Sequence, residues 1–166
     1  MKQDMLAFIE EKHKFFEKNL PGQYPGYKAL LNIGLPLVLV NKLVSEKKEK
    51  MFSAYNISSS EFDVLMTLLC HHEPMSPTNL YEGMIFSSGG MTKLLKKLED
   101  KKMIRRIPSQ KDKRSLLVAL SKKGKALVTD AFGDVVTINK EVLSKLDEKE
   151  QAALETLLKK LLTGLS

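Results

Sequence analysis

Between Ser87 and Lys125 the chain gathers side chains suited to holding a polyanion. Thirteen of these 39 residues are Lys or Arg and three are Asp or Glu, a net charge of +10 where the whole 166-residue chain carries +7. The remainder is therefore slightly acidic. A basic patch of that density points to a phosphate-rich partner, with DNA the first candidate. The spacing inside the patch sharpens this. Met91, Leu94, Leu95 and Leu98 recur at i, i+3, i+4 and i+7, a stripe for a core, while Thr92, Lys93, Lys96 and Lys97 fall away from it. Ser87, Ser88 and Gly89 come just before. Small residues let a helix N-terminus approach a groove closely, where its free N–H groups can meet a phosphate. Ser88, Thr92 and Lys93 are the candidates for base edges, because Lys reads guanine acceptors and Ser or Thr reads either sign. The face holds no Arg, Asn or Gln, so sequence preference would rest largely on duplex shape.

A second candidate contact is Asp112, Lys113 and Arg114, between two strand-like runs. A guanidinium at a hairpin tip can enter a narrow minor groove, whose negative potential attracts it. Asp112 can hold that guanidinium in place by a carboxylate pair. Each motif has a bland reading: a Lys-rich helix face is commonly only solvated, and an exposed ion pair in a turn contributes almost nothing. Arg105 and Arg106 alternate along a strand, so at most one faces the same side as the tip. Thr78 and Asn79, near a helix start, are weaker candidates for phosphate.

Other chemistries find little support. There is no Ser/His/Asp set, no usable carboxylate pair, no phosphate-binding glycine loop and no metal cluster, so neither an enzyme nor a cofactor is expected. Cys70 is the only cysteine, which excludes an internal disulfide and fits a reducing cytoplasm. It is either a small core hydrophobe or, with His71 and His72 beside it, a redox sensor. Consecutive helical residues point about 100° apart, so His71, His72 and Glu73 make a poor chelating set even with His13 added. No secretory leader is evident. The most apolar window, Ala29 to Val44, is interrupted by Asn32, Gly34 and Pro36 and reads as too short to span a bilayer, so no membrane partner is expected.

The elements that must position these residues are mostly helices. Met5, Phe8, Ile9, Phe15 and Phe16 mark one face of a first helix, and Leu20–Tyr27 reads as a loop. A second helix is expected from about Tyr27 to Ser53, kinked or broken at Pro36. Ile57-Ser58-Ser59-Ser60 offers caps for a third, which is apolar nearly all round. Ser76-Pro77 starts a short fourth helix. The basic helix then begins at Ser87 or Ser88. A hairpin follows, with Ile104–Pro108 and Ser115–Leu120 flanking a tip at Ser109–Arg114. Ser121 caps a long helix to about Leu143, and Asp147 with Glu150 forms a capping box for the last one.

In that order the pieces SPTNL, SSGGMTKLLKKLED, MIRR, KDKRS and LSKKGK resemble the multiple-antibiotic-resistance regulator (MarR) family of bacterial transcription factors. The motif match covers about fifty residues, Ser76 to Lys125. The resemblance implies a mainly α fold with a small β-hairpin wing, a winged helix-turn-helix over 56–121, and N- and C-terminal dimerisation helices over 1–55 and 122–166, as one intertwined domain. It also implies a cytoplasmic homodimer that binds a pseudo-palindromic double-stranded DNA operator, acting as a repressor released by a small-molecule effector. Tyr24, Tyr27, Phe52 and Tyr55 are the candidates to line an effector pocket. The alternatives are a redox regulator acting through Cys70 and an architectural, non-specific DNA-binding protein. Four departures stand out, one of them Ser109-Gln110 in place of a more usual Asp-Pro at the first turn of the wing. Lys102 occupies the usual glycine position after the basic helix, Tyr81 replaces a small residue, and Gly83 falls inside a short helix.

Overall fold

The computed structural model describes residues 4–84, 90–110 and 115–165, and among these it forms eight α-helices and one two-stranded hairpin. The mainly α class with a β-hairpin wing is the one expected. Two units divide the chain, Met1–Lys47 and Lys48–Ser166.

In the first unit, α1 (Met5–Asn19) starts at Asp4, whose carboxylate accepts from the N–H groups of Leu6 and Ala7. The loop expected at Leu20–Tyr27 is shorter than the two prolines suggested. Helix resumes as α2 (Tyr24–Ala29), with Pro25 in its first turn, where a missing N–H removes no bond. A π-helical turn over Leu30–Gly34 leads into α3 (Leu35–Ala54). Pro36 does not break the chain of turns. The Leu35 N–H reaches back to the Leu30 carbonyl, and this wider turn absorbs the proline at the start of α3. Helical structure thus runs for 31 residues, Tyr24–Ala54, long and apolar enough to cross a membrane by length and composition. That corrects the sequence reading of the window as too short. Leu30, Ile33, Leu37, Val38, Val40 and Leu43 stand exposed along it.

The second unit has the helix and hairpin order of a winged helix. It contains α4 (Ser59–His71), α5 (Pro77–Glu82), α6 (Met91–Asp100), β1 (Ile104–Pro108), β2 (Leu116–Leu120), α7 (Lys122–Leu143) and α8 (Glu148–Leu165). Local chemistry sets most boundaries. Ser58 and Glu61 form a reciprocal capping box on α4. Ser76 caps α5 and Ser121 caps α7. Asp147 and Glu150 exchange side-chain bonds with each other's N–H at 2.9 and 2.8 Å, the box expected for α8.

The strands pair antiparallel, Ile104 opposite Leu120 through Pro108 opposite Leu116. Met75 adds a bridge to Val118, with backbone bonds of 3.0 and 2.8 Å. The core is continuous across these elements: Phe52, Phe62, Val64, Leu65 and Leu68 meet Leu80, Leu94, Leu95 and Leu98, with Val118, Val128 and Ala131 closing it. Phe52 and Phe62 stack with ring centroids 4.7 Å apart.

Candidate nucleic-acid interface

The basic helix of the sequence is α6, and its two faces separate as the spacing required. Leu94, Leu95 and Leu98 are buried, Met91 is half-buried, and Thr92, Lys93, Lys96 and Lys97 are all exposed. No carboxylate among the described residues pairs with Lys93, Lys96 or Lys97. The helix begins at Met91, later than Ser87 or Ser88. Its N-cap is Gly90, held at φ 94°, a left-handed conformation that glycine adopts without strain. Glycine offers no capping side chain; the Lys93 N–H bonds the Gly90 carbonyl at 2.9 Å, while the Met91 and Thr92 N–H groups have no acceptor among the described residues and can meet an outside one. Ser87, Ser88 and Gly89 lie outside the described residues, as do Asp112, Lys113 and Arg114 at the wing tip.

The C-terminal end of α6 is built differently. Lys102 sits at φ 60° in the glycine position, so the expected left-handed turn is present and lysine occupies it. Its N–H bonds the Glu99 carbonyl at 2.8 Å, and the Met103 N–H bonds the Leu98 carbonyl at 2.9 Å, the paired bonds of a Schellman turn. Three donors close on the same turn. Ser121 Oγ donates to the Lys102 carbonyl at 2.8 Å, the Ser121 N–H to the Met103 carbonyl at 3.0 Å, and Lys123 Nζ to the Lys101 carbonyl at 3.1 Å. The hairpin and α7 are thereby locked to the exit of the basic helix.

Among the described basic residues of this segment, two pair with carboxylates of the protein. Lys101 Nζ lies 2.7 Å from Glu61 Oε1. Arg106 Nε lies 3.2 Å from Glu99 Oε2, which places Arg106 against α6. Arg105, on the alternate face of β1, is exposed beside Leu68, His72 and Lys125 in a shallow pocket. Thr78 and Asn79, in the first turn of α5, are both exposed.

The other candidates disperse. Cys70 is exposed, which corrects the core reading, and it lies with Met66, Thr67, His71 and Met75 along an open apolar groove of about 340 Å³. His72 leaves the helix at φ 62° as the C-cap of α4. Within the first unit, His13 bonds the Tyr24 hydroxyl at 2.9 Å. No group of three metal-ligating His, Cys, Asp or Glu side chains occurs among the described residues. Each of the four aromatics named for an effector pocket has a contact within its own unit, Tyr24 with His13. Tyr27 donates to Gln23, Phe52 is core, and the Tyr55 hydroxyl donates to Asp134 Oδ2 at 2.7 Å. That bond, with desolvation and the nearby charges of Asp134 and Asp130, raises the Tyr55 pKa above the ordinary tyrosine value. Gly83 is the C-cap of α5 and not an interior residue. A β-carbon there would stand 3.2 Å from Thr67 Cγ2, so the small residue has a steric reason.

A short helix, a basic helix exposed on one side, and a hairpin clamped behind it define a winged helix-turn-helix protein. Known proteins carry the assignment further. Residues 43–131 match the family model "Transcriptional regulator SarA/Rot". The transcriptional regulator PecS of Dickeya dadantii is 31% identical over 121 residues, spanning 72% of this chain and 73% of PecS. The multiple antibiotic resistance protein MarR of Escherichia coli K12 is 30% identical over 138 residues, spanning 80% of this chain and 95% of MarR. A crystal structure of a cysteine-to-serine mutant of E. coli MarR complexed with operator DNA aligns with a TM-score of 0.68 at 28% identity, covering 82% of this chain and 97% of that one. The chain belongs to the MarR family of winged-helix, DNA-binding transcriptional regulators.

Proposed function

We propose that this protein is a homodimeric repressor that recognises a pseudo-palindromic operator through α6 and the wing. One observation carries the reading: Thr92, Lys93, Lys96 and Lys97 form an exposed face, without acidic partners among the described residues, behind a helix N-terminus that has no side-chain cap. Such a face presents cations and free N–H groups to phosphates while Thr92 and Lys93 reach toward base edges. Asp112, Lys113 and Arg114 complete the site at the wing tip, with Arg114 in the minor groove and Asp112 orienting it. Ser87, Ser88 and Gly89 line the approach to the major groove. This site assignment rests on the sequence.

Dimerisation is supported by apolar surface that the single chain leaves uncovered. The stretch Tyr24–Ala54 exposes Leu30, Ile33, Leu37, Val38, Val40 and Leu43. Along α8, Leu157, Leu158, Leu161, Leu162 and Leu165 are exposed. Apolar stripes of that length mark interfaces. Two-fold symmetry then sets half-sites about one helical turn, roughly 10 bp, apart.

Selection of bound duplexes from a random pool, followed by footprinting with competitor DNA present, tests the proposal. A protected palindrome supports it. Protection spread without preference would indicate an architectural protein. Sedimentation as a stable monomer at micromolar concentration would remove the dimer. Release by a small anionic or phenolic effector is supported by the family resemblance, and screening such compounds against the bound operator tests it. A second reading has one observation behind it: the Cys70 thiol is exposed beside an apolar groove, open to an oxidant. Loss of operator binding on peroxide treatment, abolished in Cys70→Ser, would establish it.

A further inference from the structure

Apolar contacts hold α6 from below, but they are non-directional and leave its angle to the domain weakly specified. Its exit is held differently. Lys101, the C-cap of α6, donates from Nζ to Glu61 Oε1 and to the Asn56 carbonyl, both at 2.7 Å. Glu61 is the buried charged residue among the described residues, 4% exposed, and its other oxygen accepts from the Ser58 N–H at 2.8 Å. Asn56 stands at φ 55° in the turn that ends α3. One ammonium therefore ties three places together: the exit of α6, the start of α4 and the turn after α3. By sequence Lys101 is one more cation of the basic patch. In the fold its charge points inward.

We propose that Glu61 and Lys101 form a positioning pair that sets the angle of the recognition helix, so that Lys101 serves operator recognition without contacting DNA. The inference rests on the proposed operator binding for its functional half. The physical reason is directional. A charge-assisted bond to a buried carboxylate whose second oxygen is already committed leaves the ammonium one place to sit. The opposite end of α6, with its glycine cap, has no comparable tether among its described residues. The Ser121, Lys123 and Arg106 bonds fix the exit of α6 to the hairpin and α7, and the Lys101–Glu61 pair is the charge-assisted tether that fixes it to α4, so the free end is presented at a set angle to the domain while that pair holds.

The test compares Glu61→Gln, Lys101→Met and Lys101→Arg with the parent, each first shown to be folded by circular dichroism. Two duplexes are used, one selected from the random pool and one unrelated, across a salt series. Glu61 is buried and acidic, so Glu61→Gln removes no contact to phosphate. Both Glu61→Gln and Lys101→Met are expected to lose at least about tenfold in affinity for the selected duplex, the scale of a direct coupling between contacting residues. Binding to the unrelated duplex and the salt slope should stay at the parent values. Lys101→Arg, which keeps donors and charge, should recover most of the loss. Amide hydrogen exchange should quicken over Leu94–Asp100 and not over Val128–Val135. Equal loss on both duplexes with a salt slope lower by about one unit would instead make Lys101 a phosphate contact. Parent-like binding and exchange in Lys101→Met would reduce the pair to a fold-stabilising contact. Either result overturns the proposal. Should Glu61→Gln not fold, Lys101→Met and its arginine rescue still decide. The exchange arm needs no DNA. A parent without sequence preference would sink operator recognition, while exchange would still read the pin.

Discussion

Gly124, in the first turn of α7, packs directly against the carbonyl of Met103: a β-carbon on Gly124 would lie 2.1 Å from that oxygen. No real side chain tolerates such an approach to backbone, so the hairpin and α7 meet at a point only glycine can occupy. Gly124→Ala should destabilise the protein by about 1–3 kcal/mol, the usual scale of overpacking, although alanine is the better helix former by about 1 kcal/mol. Urea denaturation at fixed protein concentration checks this, and unchanged or raised stability would contradict it.

Lys102 makes the opposite case. At φ 60° its side chain strains a position that glycine would occupy freely. Lys102→Gly is expected to raise stability by up to about 1 kcal/mol, and a β-branched residue there should lower it. The midpoint of thermal unfolding separates the two.

On the exposed face of α6, Lys96→Ala should weaken binding to all duplexes alike and lower the salt slope by about one unit. Arg114→Ala should weaken operator binding by about 1–3 kcal/mol and affect unrelated duplexes less. Fluorescence anisotropy over a salt series measures both. A parent-like Arg114→Ala would remove the wing tip from the proposed site.

The Tyr55–Asp134 bond couples stability to alkaline pH. Because the folded-state pKa lies above the ordinary tyrosine value, the stabilisation is complete below the unfolded pKa, about 10, and is lost as pH rises through the folded one. Ultraviolet titration should show one tyrosine ionising late. Asp134→Asn should return it toward the ordinary range, and Tyr55→Phe should abolish that late component.

Cys70 should react with iodoacetamide in the native protein at a rate close to that of a free peptide thiol, because it is exposed on α4. Intact-mass measurement follows the reaction. Labelling only after denaturation would restore the core reading.

What the chain determines by itself is local. Helix caps at Ser58, Ser76, Ser121 and Asp147 depend on a side chain and an N–H two or three residues away, and all four stand where the residue types indicated. The leucine stripe of α6 follows from helical spacing, and the left-handed turn at Lys102 from the family's pattern. Those signals, read in order, were enough for the winged-helix class. They were weaker where two local rules competed. Pro36 and Gly34 argued for a break, yet a π-turn at Leu30–Gly34 accommodates both within 31 helical residues. Whether Cys70 is buried depends on how elements pack, and no spacing within one helix reveals it.

Tertiary structure alone decided the fate of individual charges. Lys96 and Lys101 are both lysines of one basic segment, five residues apart. One faces solvent, and the other ends against a carboxylate 40 positions away in the chain. Arg105 and Arg106 are neighbours on β1, and only Arg106 finds Glu99. Composition counts such groups equally, because charge is a property of the residue. Its direction depends on what the fold brings within a few ångströms, and that is why the basic patch of the sequence is narrower in the structure than its thirteen cations imply.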